Sequence, residues 1–75
     1  MHLRYNYEQD RYGVGQGGDW YIEGLHCGTC FHVLHGGAWV PVRIEYGPMP
    51  WGDDWYLIGI PGDVDLRGLE VRFAS

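Results

Sequence analysis

Residues 38–46 have the sequence AWVPVRIEY. Apolar side chains occupy every second position of this stretch: Ala38, Val40, Val42, Ile44 and Tyr46. Because successive side chains of a strand point to opposite faces, the pattern predicts a strand with one buried face. Trp39, Arg43 and Glu45 then lie on the other face, and Pro41, which has no N–H to donate, marks an edge, a bulge or a bend.

Further short strands are predicted on both sides of this stretch, at residues 11–14, 20–22, 30–34, 55–60 and 69–73. Residues 11–14 and 20–22 flank a glycine-rich loop and predict a hairpin, and His35-Gly36-Gly37 predicts a tight turn. In residues 30–34, Phe31 and Val33 share one face. Residues 55–60 are apolar on both faces, which predicts a central strand. If residues 38–46 and 69–73 pair, their Arg and Glu side chains can form ion pairs across the strands.

This pattern contains about five strands and no helical period, so it predicts an all-β fold. We expect a small five-stranded antiparallel, SH3-like or OB-like, partly open barrel over residues 11–75, since such a barrel buries the apolar faces and protects the edges. Residues 1–10 lack a clear period and are expected to form an N-terminal arm or a short strand.

Composition limits both stability and partners. A chain of 75 residues forms one domain with a small core, and aromatic residues, at 16%, are its obvious support. The net charge of −5 weighs against general nucleic-acid binding. All five basic residues are Arg; we expect them to pair with Glu and Asp, although an Arg fork also suits a carboxylate or a single phosphate.

The sequence has no apolar run near the ~20 residues of a membrane helix and no hydrophobic signal core at its start. We therefore expect a cytoplasmic protein without a membrane partner. In that compartment Cys27 and Cys30 are expected to be thiols or metal ligands rather than a disulfide.

Cys27, Cys30, His32 and His35 form the densest cluster of soft ligands. Zinc takes four tetrahedral Cys or His ligands, but structural sites normally add a second pair far along the chain, which is absent here. A thioredoxin-like motif needs a helix after the first Cys, and none is predicted. The favoured expectation is a small buried thiol, with a zinc-stabilised domain as an alternative.

Other catalytic patterns are weak, so we expect no enzyme and no cofactor. Residues 13–18 match G-x-G-x-x-G, but a strand follows them instead of the helix that would receive a pyrophosphate. Asp53 and Asp54 lie in a turn, where Asp usually caps its own backbone. No serine precedes Ser75, and a barrel this small offers little depth for a water-excluding site.

Binding residues are easier to nominate. Trp and Arg that reach the surface are typical of protein-binding hot spots and of stacking platforms for nucleotides. The candidates lie on the outer strand face, in the following loop and in the last strand: Trp39, Arg43, Glu45, Trp51, Asp53, Asp54 and Arg72. The competing expectation is that these rings fold back and cap a small barrel.

Four strings carry a resemblance to a known family: LHCG at 25–28, WxPVRIEY at 39–46, WYL at 55–57 and GLxVR at 68–72. In these strings the chain resembles a family of short domains of unknown function from Firmicutes, phages and mobile elements. The resemblance spans residues 11–73. The family pattern has one Cys, which corresponds to Cys27, so Cys30 and His35 lie outside it. The resemblance implies an accessory protein of a phage or mobile element and carries over no catalytic residue.

Three functional hypotheses follow. The first is a non-enzymatic binding module that covers a protein surface, such as that of a host defence system. The second is a binder or sponge for a nucleotide second messenger, and the third is the zinc-stabilised domain. A homodimer is compatible with each, because pairing would relieve the shortage of core.

Overall fold

The structure is a computed structural model that describes residues 1–73; Ala74 and Ser75, which end the domain predicted for 11–75, lie outside the described residues. Within residues 1–73, no helix is long and apolar enough to span a membrane. The described secondary structure consists of seven strands: β1 His2–Asn6, β2 Arg11–Gln16, β3 Asp19–Ile22, β4 Cys30–His35, β5 Ala38–Met49, β6 Gly52–Ile58 and β7 Val71–Arg72.

The strands form two antiparallel sheets. One has the order β1-β2-β3 and the other the order β6-β5-β4-β7. Two-residue turns connect β2 to β3 and β4 to β5, and both turns are Gly-Gly pairs with φ of 59° and 88°, and of 61° and 79°. Because such tight hairpin turns need positive φ at both positions, glycine suits them, and both predicted hairpins are confirmed.

The core lies between the sheets, and β4 and β5 provide its centre. Phe31 pairs with Val42 and Val33 with Val40 in the register of these strands. Ile44 and Val33 have no exposed surface, and Phe31 retains 2%. The alternation predicted for residues 38–46 is therefore confirmed in the middle of β5. At the two ends of the stretch 38–46, the side chains of Ala38 and Tyr46 are exposed.

Two connecting segments join the sheets. Residues 68–71 bond to β1: Leu3 donates to the Leu69 carbonyl at 2.8 Å, and Gly68 donates back to the Leu3 carbonyl at 2.9 Å. Residues 25–29 bond to β2 through the Leu25 N–H and to β5 through the backbone of Ile44. These bonds hold both sheets around one core, to which Leu3, Leu25 and Ile44 contribute.

Three expectations are corrected. The strand number is seven rather than five, and the strands form two sheets rather than one partly open barrel. Residues 2–6 pair with β2, and Leu3 is buried in the core, so of the two expectations for residues 1–10 the short strand is confirmed there and the arm is wrong. Strand β6 is an edge strand rather than a central one, and Ile58 stays 44% exposed. The segment around the short strand β7 is shared between the two sheets: the Glu70 carbonyl accepts from Leu34 of β4, while the Leu69 carbonyl accepts from Leu3 of β1.

Candidate functional site

The four-stranded sheet packs one face on the core and turns the other away from it. We call this second side the outer face. By strand register and alternation it includes Cys30, His32, Leu34, Trp39, Pro41, Arg43, Glu45, Ile58 and Arg72. Four of the seven predicted binding residues therefore share one surface.

Cationic and aromatic side chains are ordered on the outer face. The Arg72 guanidinium lies 4.4 Å from the ring centroid of Trp39, and β4 lies between their two strands. Arg43 pairs with Glu45 at 2.8 Å, within β5. The condition for ion pairs across to the last strand was that β5 and β7 pair, and it is not met because β4 separates them.

A shallow depression of about 360 Å³ lies on the outer face beside this ordered cluster. Its lining includes the Pro41 ring, Ile58, His32 and the Arg43 side chain. Apolar and guanidinium surface thus lie side by side on an exposed sheet face.

The other three predicted binding residues lie at the far end of β5, at the turn that connects it to β6. Met49 pairs with Gly52, so Pro50 and Trp51 form the turn, and Trp51 is 61% exposed. The Trp51 indole N–H donates to the Asp54 carboxylate at 2.9 Å, and the other oxygen of that carboxylate accepts from the Trp55 N–H at 2.8 Å. Asp53 is exposed. About ten residues of strand, or roughly 30 Å, separate this turn from Trp39.

An open cleft of about 540 Å³, which we call the aromatic cleft, adjoins this turn. Its lining includes six aromatic residues and three Asp residues: Tyr5, Tyr7, Tyr12, Trp51, Trp55, Tyr56, Asp54, Asp63 and Asp65. Arg67 is the one basic residue among the described residues that line it. Aromatic and acidic surface therefore dominate this end of the domain.

Hydrogen bonds and burial displace several pKa values around the cleft. The Tyr5 hydroxyl donates to the Asp10 carboxylate, which raises the pKa of Tyr5 to about 12. The backbone N–H and guanidinium of Arg67 donate to Asp65, which lowers the pKa of that carboxyl and raises the pKa of Arg67. Burial raises the pKa of Tyr12. Each shift moves the pKa of the group further from 7, so each group keeps the charge that it ordinarily has at neutral pH.

The cysteines and histidines do not converge. Across residues 1–73 no three His, Cys, Asp or Glu side chains are grouped so that they could hold a metal ion. Cys30 and His32 lie on the outer face, His35 precedes the β4–β5 turn, and Cys27 lines a different depression, near Arg11. Both thiols are exposed and unpaired, so the expected buried thiol is wrong. The physical reason is that Cys27 lies in the exposed turn Cys27-Gly28, closed by the Thr29 N–H on the His26 carbonyl, and Cys30 is on the outer face at the start of β4.

Sequence reasoning missed the residues that complete both surfaces. On the outer face these are Leu34 and Ile58, and in the aromatic cleft they include Tyr5 and Tyr12. The alternation of residues 30–34 already set Leu34 on the side of Cys30, so this residue could have been nominated. The two tyrosines could not, because the pairing of β1 with β2, which sets Tyr5 opposite Tyr12, was not predicted.

The chain is similar to known proteins over almost its whole length. A family model described as a domain of unknown function (DUF5348) matches residues 1–73. The fold is similar to a crystal structure of a protein from Ruminococcus gnavus, with 44% sequence identity and a TM-score of 0.75, covering 95% of this chain and 94% of that chain. No curated protein matches the sequence. The family match begins at residue 1 and thus includes β1.

Proposed function

Because the chain belongs to the DUF5348 family of domains of unknown function, whose description assigns no activity, we propose from its own surface that it is a non-enzymatic binding module with a protein partner. The outer face is the contact surface. The observation that carries this proposal is the Arg72 guanidinium stacked 4.4 Å from the Trp39 ring on an exposed sheet face. Trp and Arg are the residues most enriched in protein-binding hot spots.

The charge states around the aromatic cleft support a non-enzymatic role. A general acid or base works best with a pKa near the operating pH. The displaced pKa values of Tyr5, Tyr12, Asp65 and Arg67 all move away from neutrality. The cleft also lies open to solvent, whereas catalytic sites gain from excluding water.

The size of the outer face bears on the strength of the complex. Its four strands contain 12, 7, 6 and 2 residues, and at 3.3 Å per residue and about 4.8 Å between strands they cover roughly 400 Å². A stable interface buries about 800 Å² on each partner. The outer face alone therefore suits a transient contact, and a tighter complex would add the flanking turns.

The proposed partner class and cellular location rest on the resemblance to domains from phages and mobile elements and on the two free thiols. A host defence protein is the partner class that this resemblance suggests, with the domain covering part of its surface. Exposed free Cys27 and Cys30 are compatible with a reducing cytoplasm. Self-association would use the β6 edge, where Ile58 is exposed.

Affinity capture with matched variants tests the proposal. Arg72→Ala removes the guanidinium from above Trp39, and the control Arg4→Ala removes one that lies 4.5 Å from the Trp20 ring on the other sheet. Both variants change the net charge equally. Wild type and Arg4→Ala should retain one stoichiometric host protein, and Arg72→Ala should bind it roughly thirtyfold more weakly, as expected for a hot spot. Equal retention by both variants, or no stoichiometric partner, would contradict the proposal.

A nucleotide-like ligand is the second candidate, because the Arg72–Trp39 stack offers a guanidinium and an indole together. A thermal-shift screen with cyclic and linear nucleotides tests it, since a bound ligand raises Tm by mass action. A rise of Tm with a nucleotide that is seen for wild type and not for Arg72→Ala would favour this candidate over a protein partner.

A further inference from the structure

The chain uses one arrangement repeatedly: an arginine side chain lies over a tryptophan ring. Three of its four tryptophans have such a partner, with guanidinium carbon to ring centroid distances of 4.5, 5.7 and 4.4 Å for Arg4–Trp20, Arg11–Trp55 and Arg72–Trp39. Distances below about 6 Å from a ring face give an attractive cation–π interaction. Three of the five arginines are used in this way.

Trp51 is the exception. No guanidinium of residues 1–73 lies over its ring, and its 61% exposure is the largest among the tryptophans. Nevertheless hydrogen bonds fix the orientation of the ring. The Trp51 indole N–H donates to one carboxylate oxygen of Asp54, and the other oxygen accepts from the Trp55 backbone N–H. The indole is therefore held at the edge of the aromatic cleft with much of its surface in water.

The surroundings of Trp51 favour a positive charge. The aromatic cleft shares Tyr5, Asp54 and Trp55 with the depression that Cys27 and Arg11 line. Together the two are lined by two guanidinium groups, of Arg11 and Arg67, and by five carboxylates: Asp10, Asp53, Asp54, Asp63 and Asp65. Both arginines are already engaged, since Arg67 pairs with Asp65 at 3.3 Å and Arg11 donates to the Leu25 carbonyl at 3.2 Å. The rings and the excess of carboxylates thus attract a cation from outside the chain.

We propose that the aromatic cleft binds an arginine side chain of a partner protein, with its guanidinium over the Trp51 ring. The planar guanidinium stacks on aromatic faces and bonds to carboxylates at the same time, which an ammonium does less well. Asp54 is the positioning residue, because it orients the indole. This site goes beyond the proposed function, since it lies roughly 30 Å along β5 from Trp39 and does not use the outer face.

The probe is the peptide acetyl-Gly-Arg-Gly-Arg-Gly-amide, titrated into the ¹⁵N-labelled full chain, with a Gln-for-Arg peptide as the neutral control. The indole N–H signal of Trp51 reports directly, and the variant Trp51→Phe assigns it among the four indole signals. We expect this signal to shift and saturate with the Arg peptide, to stay in place with the Gln peptide, and to respond less at high salt.

Two alanine variants complete the test. Trp51→Ala should weaken binding roughly two- to thirtyfold, the range from an exposed to a desolvated cation–π contact, while Trp39→Ala should bind the peptide as wild type does. The spectrum of each variant shows whether it is folded, and Trp51 lies in an exposed turn, so its loss leaves the core intact. An unmoved Trp51 signal, equal binding by Trp51→Ala, or tighter binding of a matching Lys peptide would overturn the proposal. The capture experiment with Arg72→Ala tests the outer face, and the peptide titration tests the aromatic cleft. Either proposal can therefore be refuted while the other stands.

Discussion

Gly13 lies in β2 where this strand passes close to the end of β3, and a methyl group has no room there. A Cβ at this position would lie 2.5 Å from the Ile22 carbonyl oxygen, 2.7 Å from the Glu23 carbonyl oxygen and 2.9 Å from the Trp20 ring. Comfortable contacts begin at about 3.5 Å. Because two of the three neighbours are backbone atoms, rotating a side chain cannot relieve the clash, and Gly13→Ala must move β3 by about 1 Å. Overpacking of this kind costs about 1–3 kcal/mol, and we expect about 3.

The matched control is Gly47→Ala in β5. Its Cβ would have Tyr56 as nearest neighbour at 3.7 Å, an ordinary contact. Since Ala narrows the conformations of the unfolded chain, this variant should be about 0.4–1 kcal/mol more stable than wild type. The same atoms are added in both variants, so only their surroundings differ.

Urea unfolding followed by tryptophan fluorescence, together with thermal melts by circular dichroism, measures both effects. A domain of this size changes its Tm by about 4–8 °C per kcal/mol, so Gly13→Ala should melt roughly 12–24 °C below wild type and Gly47→Ala a few degrees above it. The loss would be a large share of the ~4–11 kcal/mol expected in total for such a domain. If Gly13→Ala unfolds within about 0.5 kcal/mol of wild type, or if both variants lose stability alike, the close approach of β2 and β3 is refuted.

Three further predictions concern the core and its polar contacts. Ile44→Ala removes a fully buried side chain and should cost about 2–5 kcal/mol, whereas Ile58→Ala, at a side chain 44% exposed, should cost much less; equal losses in urea unfolding would contradict the burial. The pKa of Tyr5, about 12 against an ordinary 10.0, should fall in Asp10→Asn, measured by absorbance at 295 nm with Tyr5→Phe as reference. Because the folded pKa is the higher one, the associated stability is complete below pH 10 and declines as the pH rises toward 12. Asn6→Ala leaves two backbone groups without their side-chain hydrogen bonds and should cost about 1–3 kcal/mol; a loss below about 0.5 kcal/mol would show that water replaces them.

The alternation of apolar residues and the glycine pairs predicted the buried strand faces and the tight turns, which depend on neighbouring residues. Alternation placed Phe31, Val33, Val42 and Ile44 on a buried face, and all four are buried. Paired glycines marked both tight hairpin turns. These features follow from strand geometry and turn conformation, which act over a few residues.

Strand order could not be predicted in the same way, because it depends on which distant segments pair. Residues 55–60 are apolar on both faces, which indicated a central strand, yet β6 has only β5 as neighbour. In residues 1–10, Leu3, Tyr5 and Tyr7 alternate with polar residues, but Asn6 is buried and Tyr7 is 81% exposed, so polarity does not mark the buried face of this segment. Only the pairing of Leu3 with Val14 reveals that this segment belongs to the core.

The candidate site was predicted residue by residue but not as an arrangement. Trp39 and Arg72 were both nominated, and the side of β5 on which Trp39 lies was correct. Their contact depends on the position of β4 between β5 and β7, a long-range feature that alternation does not contain. Trp51 was expected in a loop where burial is difficult, and its exposure of 61% agrees.

The arginines connect composition to function. They were expected to pair with acids, but only Arg43 and Arg67 form ion pairs among the described residues, with Glu45 and Asp65. The other three lie over tryptophan rings, where a flat guanidinium covers an indole and keeps its N–H groups available. At these three of the five basic positions Arg suits the site better than Lys, because the ammonium of Lys is a compact, strongly hydrated charge that stacks poorly. Among the described residues, three of the four tryptophan rings have a guanidinium over them and Trp51 has none. Trp51 lines the aromatic cleft together with Asp54, Asp63 and Asp65, and a cationic partner would supply the positive charge that this ring and these carboxylates attract.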